Sequence, residues 1–162
     1  MASPSLASLL SILATSDVEL IVVGMLAAVA QGAPVTTHDV DIVHRRTPDN
    51  IARLLAVLTD LDARYRGHGD KVLRPTAEIL AGPGHSLLVT RLGFLDVLGA
   101  IEGDRDYDAL LPHSTEIPLA GRSLRVLDLE TIVEFKRGST RRKDQIALPV
   151  LEEALRRRGT PE

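Results

Sequence analysis

The chain has 162 residues, which is the length of one ordinary domain and leaves no room for two. Apolar residues make up 44% and charged residues 25%, as in average globular proteins, so a disordered or fibrous chain is excluded. Cysteine is absent, which excludes disulfides, zinc–cysteine sites and thiol nucleophiles. The 19 basic and 22 acidic residues give a net charge of −3, so a basic surface over the whole molecule is excluded, although a local basic patch is not.

Membrane insertion and base stacking are also disfavoured by the composition. No stretch of about 18 apolar residues occurs, and residues 1–13 lack the basic start of a signal peptide. We therefore expect a cytoplasmic protein without a membrane segment. Two Phe and two Tyr are few for the stacking platforms of single-strand binders. The composition predicts one α/β or α+β domain over residues 1–162, with a core of Leu, Val, Ile and Ala.

The first part of the chain predicts two helices around one buried strand. Ser3 and Pro4 form a helix-start signal, and leucines three and four residues apart predict a helix over residues 4–15. The β-branched run Leu20–Val23 predicts a strand that is buried on both faces. A glycine ends that strand, and small apolar residues after it predict a short helix over Met25–Ala30.

The middle of the chain predicts further strands and one strongly amphipathic helix. Alternation predicts a strand over Asp39–Val43, and a stripe with a 3.6-residue period predicts a helix that starts at Thr47–Asn50 and continues through Ile51–Leu61. Glycines, prolines and mixed charges between Arg64 and Gly84 predict loops with one short strand. Two more strands are predicted beyond them, Ser86–Thr90 and Phe94–Ala100.

The last third of the chain predicts a loop, a hairpin and two helices. The acidic segment Glu102–Asp108 predicts a solvated loop, and Glu116–Leu119 with Ser123–Val126 predicts the two strands of a hairpin. Asp128 is the predicted cap of a helix that ends near Arg137. A final helix is predicted over residues 144–157, with Pro149 in its first turn or at a kink.

Three aspartates are the candidate site. Asp39 and Asp41 stand two apart on a predicted strand, so both side chains project from one face, with Cα atoms about 6.6 Å apart. Two like charges that close repel unless a cation lies between them, and divalent cations prefer oxygen ligands. Asp96 is a single acid among apolar neighbours, where an unpaired buried carboxylate costs several kcal/mol. A metal site would offset that cost, and an exposed strand face is the alternative for each acid.

Two further segments favour phosphate binding. Gly24 joins a strand directly to a helix, and the N–H groups at a helix start can bind phosphate at the positive end of the dipole. A tight turn without a ligand is the alternative there. The basic segment Lys136–Lys143 either contacts phosphates or forms a solvated face.

These motifs, in this order, resemble the nucleotidyltransferase superfamily, which has the DNA polymerase beta-like fold. In that family a strand ends in Gly-Gly or Gly-Ser before a short helix, a strand with Asp-x-Asp follows, and a third acid lies on a later strand. The matching stretches are Val22–Gly32, Thr36–Ile42 and Gly93–Leu98, with Met25 at the second motif position. The tail Leu129–Asp144 is similar to that of small bacterial nucleotidyltransferase-like proteins, several of which belong to toxin–antitoxin or abortive-infection systems.

The resemblance implies an α+β (α/β) domain with a mixed central sheet flanked by helices. It divides into an N-terminal helix, a core over residues 18–127 and C-terminal helices over residues 128–158. Asp39, Asp41 and Asp96 would be its catalytic and metal-binding residues and would hold two Mg²⁺ ions. The nucleoside triphosphate would be bound by six residues: Gly24, Met25, Thr37, Lys136, Arg142 and Lys143.

The implied activity is transfer of a nucleoside monophosphate from a nucleoside triphosphate to a hydroxyl acceptor, with release of pyrophosphate. The acceptor would be RNA, a protein or a small molecule. The alternative is a catalytically weak or inactive nucleotidyltransferase-like module that binds a cognate partner protein. Met25 favours this alternative, whereas the complete set of acids favours the enzyme. A phosphohydrolase with paired aspartates is a third candidate, although no nucleophilic-aspartate motif is present.

Overall fold

The computed structural model describes residues 5–159, which contain both helices and strands. Within them lie seven α-helices and one short 3₁₀ turn at Leu111–His113: α1 (Leu6–Thr15), α2 (Gly24–Ala30), α3 (Pro48–Asp60), α4 (Ala77–Leu80), α5 (Tyr107–Leu110), α6 (Leu129–Arg137) and α7 (Arg142–Arg158). The strands are β1 (Leu20–Val23), β2 (Val40–His44), β3 (Arg64–Tyr65), β4 (His85–Thr90), β5 (Gly93–Leu98), β6 (Ser114–Leu119) and β7 (Arg122–Leu127).

All seven strands belong to one mixed sheet in the order β3-β4-β5-β2-β1-β7-β6. The pairs β2–β5 and β1–β7 are parallel, whereas β1–β2, β3–β4, β4–β5 and β6–β7 are antiparallel. The predicted α+β fold with a mixed central sheet is therefore confirmed. Because β1 and β2 are antiparallel neighbours, with Val23 opposite Asp41, the residues that follow β1 lie beside those that begin β2.

The core consists of aliphatic side chains, as the composition predicts, together with the buried Tyr107. Every residue of β1 is buried, which explains its uninterrupted Leu-Ile-Val-Val sequence. Helix α2 contacts β1, β2, β7 and α6, and its small residues Ala27 and Ala28 are fully buried. Small side chains let a helix approach a sheet closely, so α2 holds the start of the site against the core. Among residues 5–159, no helix is long and apolar enough to cross a membrane.

Several predicted boundaries agree with the structure. The strand Leu20–Val23 is confirmed, and the helix after it begins one residue earlier, at Gly24. The Oδ1 atom of Asp128 accepts a hydrogen bond of 2.8 Å from the amide of Thr131, so the predicted cap of α6 is confirmed. Helix α1 begins at Leu6 with Ser5 as its cap. The start signal Ser3–Pro4 lies outside the described residues.

Three predictions need correction. Part of the predicted loop 102–108 belongs to α5, because Asp106 caps that helix through a 3.0 Å hydrogen bond from the amide of Ala109. The segment between residues 64 and 84 contains the predicted short strand and also α4. Helix α7 begins before residue 144, so Pro149 lies in its interior rather than its first turn. Because Gln145 and Pro149 are both exposed, water can replace the backbone hydrogen bond that proline removes.

Candidate active site

The acidic residues meet in one row that crosses four strands of the sheet. Asp41 on β2 lies opposite Val23 on β1 and, on its other side, opposite Asp96 on β5. Asp96 in turn lies opposite Leu87 on β4. Side chains opposite each other on adjacent strands project from the same face. The two aspartates, 55 positions apart in the sequence, are therefore direct neighbours.

Gly24 leaves the space that Asp41 occupies. Its φ of +69° is in the left-handed region that glycine tolerates best. A Cβ atom at this position would lie 2.5 Å from Oδ2 of Asp41, which is closer than real contacts allow. The glycine predicted to form a phosphate-binding turn is thus also required by the close approach of the Asp41 carboxylate to the backbone.

The two carboxyl groups share a hydrogen bond and an environment that disfavours their charged forms. The pKa of Asp41 is raised to about 6. Burial is the largest cause, followed by the negative charge of Asp96, the hydrogen bond with Asp96 and the negative charge of Asp39. Burial also raises the pKa of Asp96, although Arg66 and the hydrogen bond with Asp41 oppose the shift. The pair therefore carries more negative charge than its surroundings stabilise, as expected at a site for a cation.

Arg66 is a residue of the site that sequence reasoning missed. Its Nη2 atom lies 2.7 Å from Oδ1 of Asp96, and its guanidinium carbon lies 4.7 Å from the centroid of the Phe94 ring. Its amide donates a 3.0 Å hydrogen bond to the carbonyl of Leu87, which continues the ladder between β3 and β4. Arg66 lies in the segment predicted to form loops, and no motif there indicated a contact 30 residues away.

Asp39 lies just before β2 and is exposed. Its negative charge raises the pKa of both Asp41 and Asp96, so all three acids belong to one electrostatic cluster. However, among residues 5–159 no three acidic or histidine side chains are grouped closely enough to hold a metal ion. The donor chemistry of Asp41 and Asp96 fits a divalent cation, because carboxylate oxygens are its preferred ligands and both face one cavity.

Acidic and basic side chains line one cavity of about 500 Å³. The three aspartates and Gly24 contribute to its lining, and so do Lys136, Arg141 and Lys143 from the end of α6 and the start of α7, which we call the basic wall. His85 and Glu102 also line it, and neither was predicted. A cavity lined by both carboxylates and cations can bind a metal together with a polyphosphate.

Asp144 fixes the turn that carries this basic wall. Its Oδ1 atom lies 2.7 Å from Nζ of Lys136, and its Oδ2 atom accepts a 2.6 Å hydrogen bond from Ser139. The Asp144 side chain is only 8% exposed. Burial alone would raise its pKa, but hydrogen bonds from Lys136 and Ser139 and the positive charges of Lys136 and Arg141 lower it below the usual range.

The predicted nucleotide-binding residues divide into two groups. Gly24, Lys136 and Lys143 line the cavity. Met25 is half-buried and packs against the hydrophobic core. Thr37 and Arg142 also lie outside the cavity wall, to which Arg141 contributes instead of its neighbour. Because α7 begins at Arg142, the direction in which each basic side chain points could not be predicted from the sequence.

No protein-family model and no curated protein matches the chain. Among solved structures, the chain is similar to the lincosamide antibiotic adenylyltransferase LnuA with lincomycin bound, with a TM-score of 0.54, 14% identity and coverage of 85% of this chain and 87% of that one. It is also similar to ANT(2")-Ia in complex with adenylyl-2"-tobramycin, with a TM-score of 0.55, 19% identity and coverage of 91% and 87%. The solution structure of the antibiotic-resistance factor ANT(2'')-Ia gives a TM-score of 0.53, 19% identity and coverage of 91% and 82%.

The chain has the nucleotidyltransferase fold. The resemblance to nucleotidyltransferases that the motifs indicated is therefore confirmed for the fold. In this nucleotidyltransferase fold, Asp41 and Asp96 lie on adjacent parallel strands next to the turn at Gly24. The cavity that they line is the candidate active site.

Proposed function

We propose that the chain is a metal-dependent nucleotidyltransferase that transfers a nucleoside monophosphate from a nucleoside triphosphate to a hydroxyl acceptor. The observation that carries this proposal is the in-register contact of Asp41 and Asp96 beside Gly24, in a cavity that Lys136, Arg141 and Lys143 also line. Adenylyl transfer by the structurally similar LnuA, and the adenylylated tobramycin in ANT(2")-Ia, support the same type of reaction.

The carboxylates would hold the metal and the basic wall would hold the triphosphate. Asp39, Asp41 and Asp96 would bind two Mg²⁺ ions, which stabilise charge on the attacking and leaving oxygens of an in-line displacement. Lys143 would contact the outer phosphates as a point charge, together with Arg141, which can bind two phosphate oxygens at once. The backbone at Gly24 would lie against the phosphates because no side chain is present there.

The chain's own residues would orient the reacting groups. The acceptor hydroxyl would approach Asp96, whose carboxylate would receive its proton. The hydroxyl oxygen would then form a bond to the α-phosphorus while the bond between that phosphorus and the leaving oxygen breaks, releasing pyrophosphate. Arg66 would keep Asp96 in this orientation through their 2.7 Å ion pair.

Pyrophosphate release from ATP, GTP, CTP and UTP, with and without magnesium, tests the proposal. Mass spectrometry of protein and added acceptors would detect the covalent nucleoside monophosphate. We expect release only with magnesium and none from the double variant Asp41→Asn/Asp96→Asn. Equal rates for this variant and the unchanged protein would contradict the mechanism, and release of single phosphates would indicate a phosphohydrolase instead.

A binding module without catalysis is the second candidate, and one observation favours it. No metal-binding group of three is assembled among residues 5–159, while Arg66 already supplies positive charge to Asp96. In this case the nucleotide would stabilise the protein without being consumed. A ligand at 100 times its dissociation constant adds about 2.7 kcal/mol to the free energy of unfolding. Such stabilisation without pyrophosphate release would favour the module.

A further inference from the structure

A second cavity adjoins the candidate active site. It has a volume of about 570 Å³ and is lined by residues 64–72, Val89 and Phe94. We call it the β3 cavity, because the strand β3 and the loop after it form most of its wall. Phe94 stands two residues before Asp96 on the same strand, so their side chains share one face of the sheet. The β3 cavity therefore opens beside the third acid of the site.

The β3 cavity has an excess of positive charge. Its lining contains Arg64, Arg66 and Lys71, against a single acid, Asp70. The side chains of Arg64 and Lys71 make no hydrogen bond or ion pair with any residue between 5 and 159. Cations without such partners around a concave surface are suited to an anionic ligand, and phosphate is one that both lysine and arginine bind. This local charge contrasts with the net charge of −3 for the whole chain.

The β3 cavity also contains an exposed aromatic ring. Phe94 is one of two Phe residues in the chain and lines the cavity, although stacking platforms were not expected from the composition. The Tyr65 ring is not part of this surface, because Tyr65 lies opposite the buried Leu88 and its hydroxyl bonds to the buried Ser86 on the core face of the sheet. Phe94 is 44% exposed, and the Arg66 guanidinium carbon lies over its ring, 4.7 Å from the centroid. An exposed aromatic ring next to a guanidinium is a surface on which a nucleobase can stack.

Arg66 connects the β3 cavity to the carboxylates. It lines the cavity and also binds Asp96 at 2.7 Å. A ligand whose phosphate is held in the β3 cavity would thus have its neighbouring hydroxyl close to Asp96. A polycationic acceptor would be repelled by Arg64, Arg66 and Lys71, so these cations discriminate against that class.

We propose that the β3 cavity binds the acceptor and that the acceptor is a nucleotide or the end of a nucleic-acid strand, with a phosphate near its free hydroxyl. This inference rests on the proposed function, because it assigns the acceptor of the same reaction. The acceptor oxygen would form a bond to the α-phosphorus of the triphosphate, pyrophosphate would leave, and the hydroxyl proton would pass to Asp96. Mononucleotides and strands present the same chemistry to the cavity, and a competition experiment distinguishes them.

Fluorescence anisotropy with a labelled single-stranded RNA of about twelve nucleotides tests the inference directly. The titrations are made without magnesium at several salt concentrations, and unlabelled nucleoside monophosphate is added as a competitor. If the nucleoside monophosphate displaces the RNA when both supply the same concentration of phosphate, the acceptor is the mononucleotide. If it does not displace the RNA, the acceptor is the strand. We expect salt-dependent binding by the unchanged protein.

The double variant Arg64→Ala/Lys71→Ala removes two of the proposed phosphate-binding cations. Each phosphate of a single strand that is no longer neutralised lowers the slope of log affinity against log salt concentration by about 0.7. With two cations removed, the slope should therefore decrease by about 1.4. The matched control is Arg53→Ala/Arg122→Ala, which removes two exposed arginines that bond to Asp17 on a different surface. The control should bind RNA as the unchanged protein does. Equally weakened binding in both variants, or no binding of RNA or monophosphate by the unchanged protein, would overturn the inference.

Thermal stabilisation by nucleoside triphosphate and magnesium, measured on the same preparations, separates the two proposals. Stabilisation without RNA or monophosphate binding would overturn the acceptor assignment and leave the transferase proposal intact. RNA binding that depends on Arg64 and Lys71, but without any triphosphate stabilisation, would contradict the transferase proposal and retain the β3 cavity as a phosphate-binding surface.

Discussion

Asp41 and Asp96 lie opposite each other on adjacent parallel strands and share a hydrogen bond, although both are carboxyl groups. Such a pair is stable only if it retains a proton or is provided with positive charge. Arg66 provides part of this charge from one side. The negative charge that Arg66 does not neutralise links stability to function. It would attract a cation, and without a cation it destabilises the folded protein.

Replacing Asp41 by Asn should stabilise the magnesium-free protein while abolishing transfer. The folded-state pKa of Asp41 is raised from 3.8 to about 6, so the folded protein binds more protons between these values. The free energy of unfolding therefore decreases as pH rises through this window. At pH 8 the substitution should add on the order of 2 kcal/mol, and at pH 3 it should add nothing. Urea denaturation with chelator at both pH values measures the difference.

Asp39→Asn is the control for this prediction, because Asp39 is exposed and its removal takes away only a nearby charge. It should change stability less than Asp41→Asn does. The prediction fails if Asp41→Asn destabilises the protein at pH 8, since the carboxylate would then have a structural role.

Gly24→Ala should cost more stability than a glycine substitution with the same backbone conformation elsewhere. Gly24 and Gly121 both have positive φ, at 69° and 74°, which costs a residue with a Cβ atom roughly 1–2 kcal/mol. At Gly121 no atom of residues 5–159 lies within 4 Å of the added atom, whereas at Gly24 it meets the Asp41 carboxylate. Gly24→Ala should therefore lose about 1–2 kcal/mol more, by overpacking, and also lose transfer activity.

Gly121→Ala, the matched control, should retain full activity with a modest decrease in Tm. Thermal unfolding and pyrophosphate release on both variants measure the comparison. Equal loss of stability and unchanged activity in the two would show that Asp41 moves aside easily, and the close approach at Gly24 would have no functional importance.

The sequence was sufficient to predict β1 and the strands that carry Asp41 and Asp96, because their patterns are local. Leu20–Val23 is uniformly apolar, Asp39–Val43 alternates before it becomes apolar, and Asp96 is a single acid among apolar neighbours. These short patterns indicated all three strands. The contact between Asp41 and Asp96 came from the resemblance and not from periodicity. The assignment of one domain to residues 1–162, and of roles to the site residues, stays a prediction.

Features that depend on tertiary contacts could not be predicted. Arg66 is one of many arginines until β3 pairs with β4 and brings it to Asp96. The acidic pattern around Asp106 and Asp108 predicts a solvated loop, but Asp106 caps α5 and Asp108 lies 3.0 Å from Arg45. In each case the partner is distant in sequence or the helix is a single turn, so no periodic pattern exists to detect.

Lys143→Ala should weaken triphosphate binding without changing the fold. Lys143 is exposed and lines the cavity, so its removal leaves no buried group unpaired. We expect the KM for the nucleoside triphosphate to rise about tenfold, which corresponds to about 1.4 kcal/mol, and a change in unfolding free energy below about 0.5 kcal/mol. Arg142→Ala is the control: it removes the same charge one residue away, outside the cavity, and should leave KM unchanged. If Arg142→Ala raises the KM more than Lys143→Ala does, Arg142 belongs to the binding site.

Lys136→Met should mainly affect stability, in contrast to Lys143→Ala, because the Lys136 ammonium is paired with the buried carboxylate of Asp144 at 2.7 Å. Without Lys136, the carboxylate stays buried with Ser139 as its remaining hydrogen-bond donor. We expect a loss of roughly 1–3 kcal/mol at pH 7. The pKa of Asp144 is lowered in the folded state, so the pair stabilises the protein above the unfolded-state pKa of 3.8 and less as pH falls below it. The difference between the variant and the unchanged protein should therefore shrink toward pH 2 in urea denaturation. A difference that is independent of pH would assign the loss to packing of the lysine chain and not to its charge.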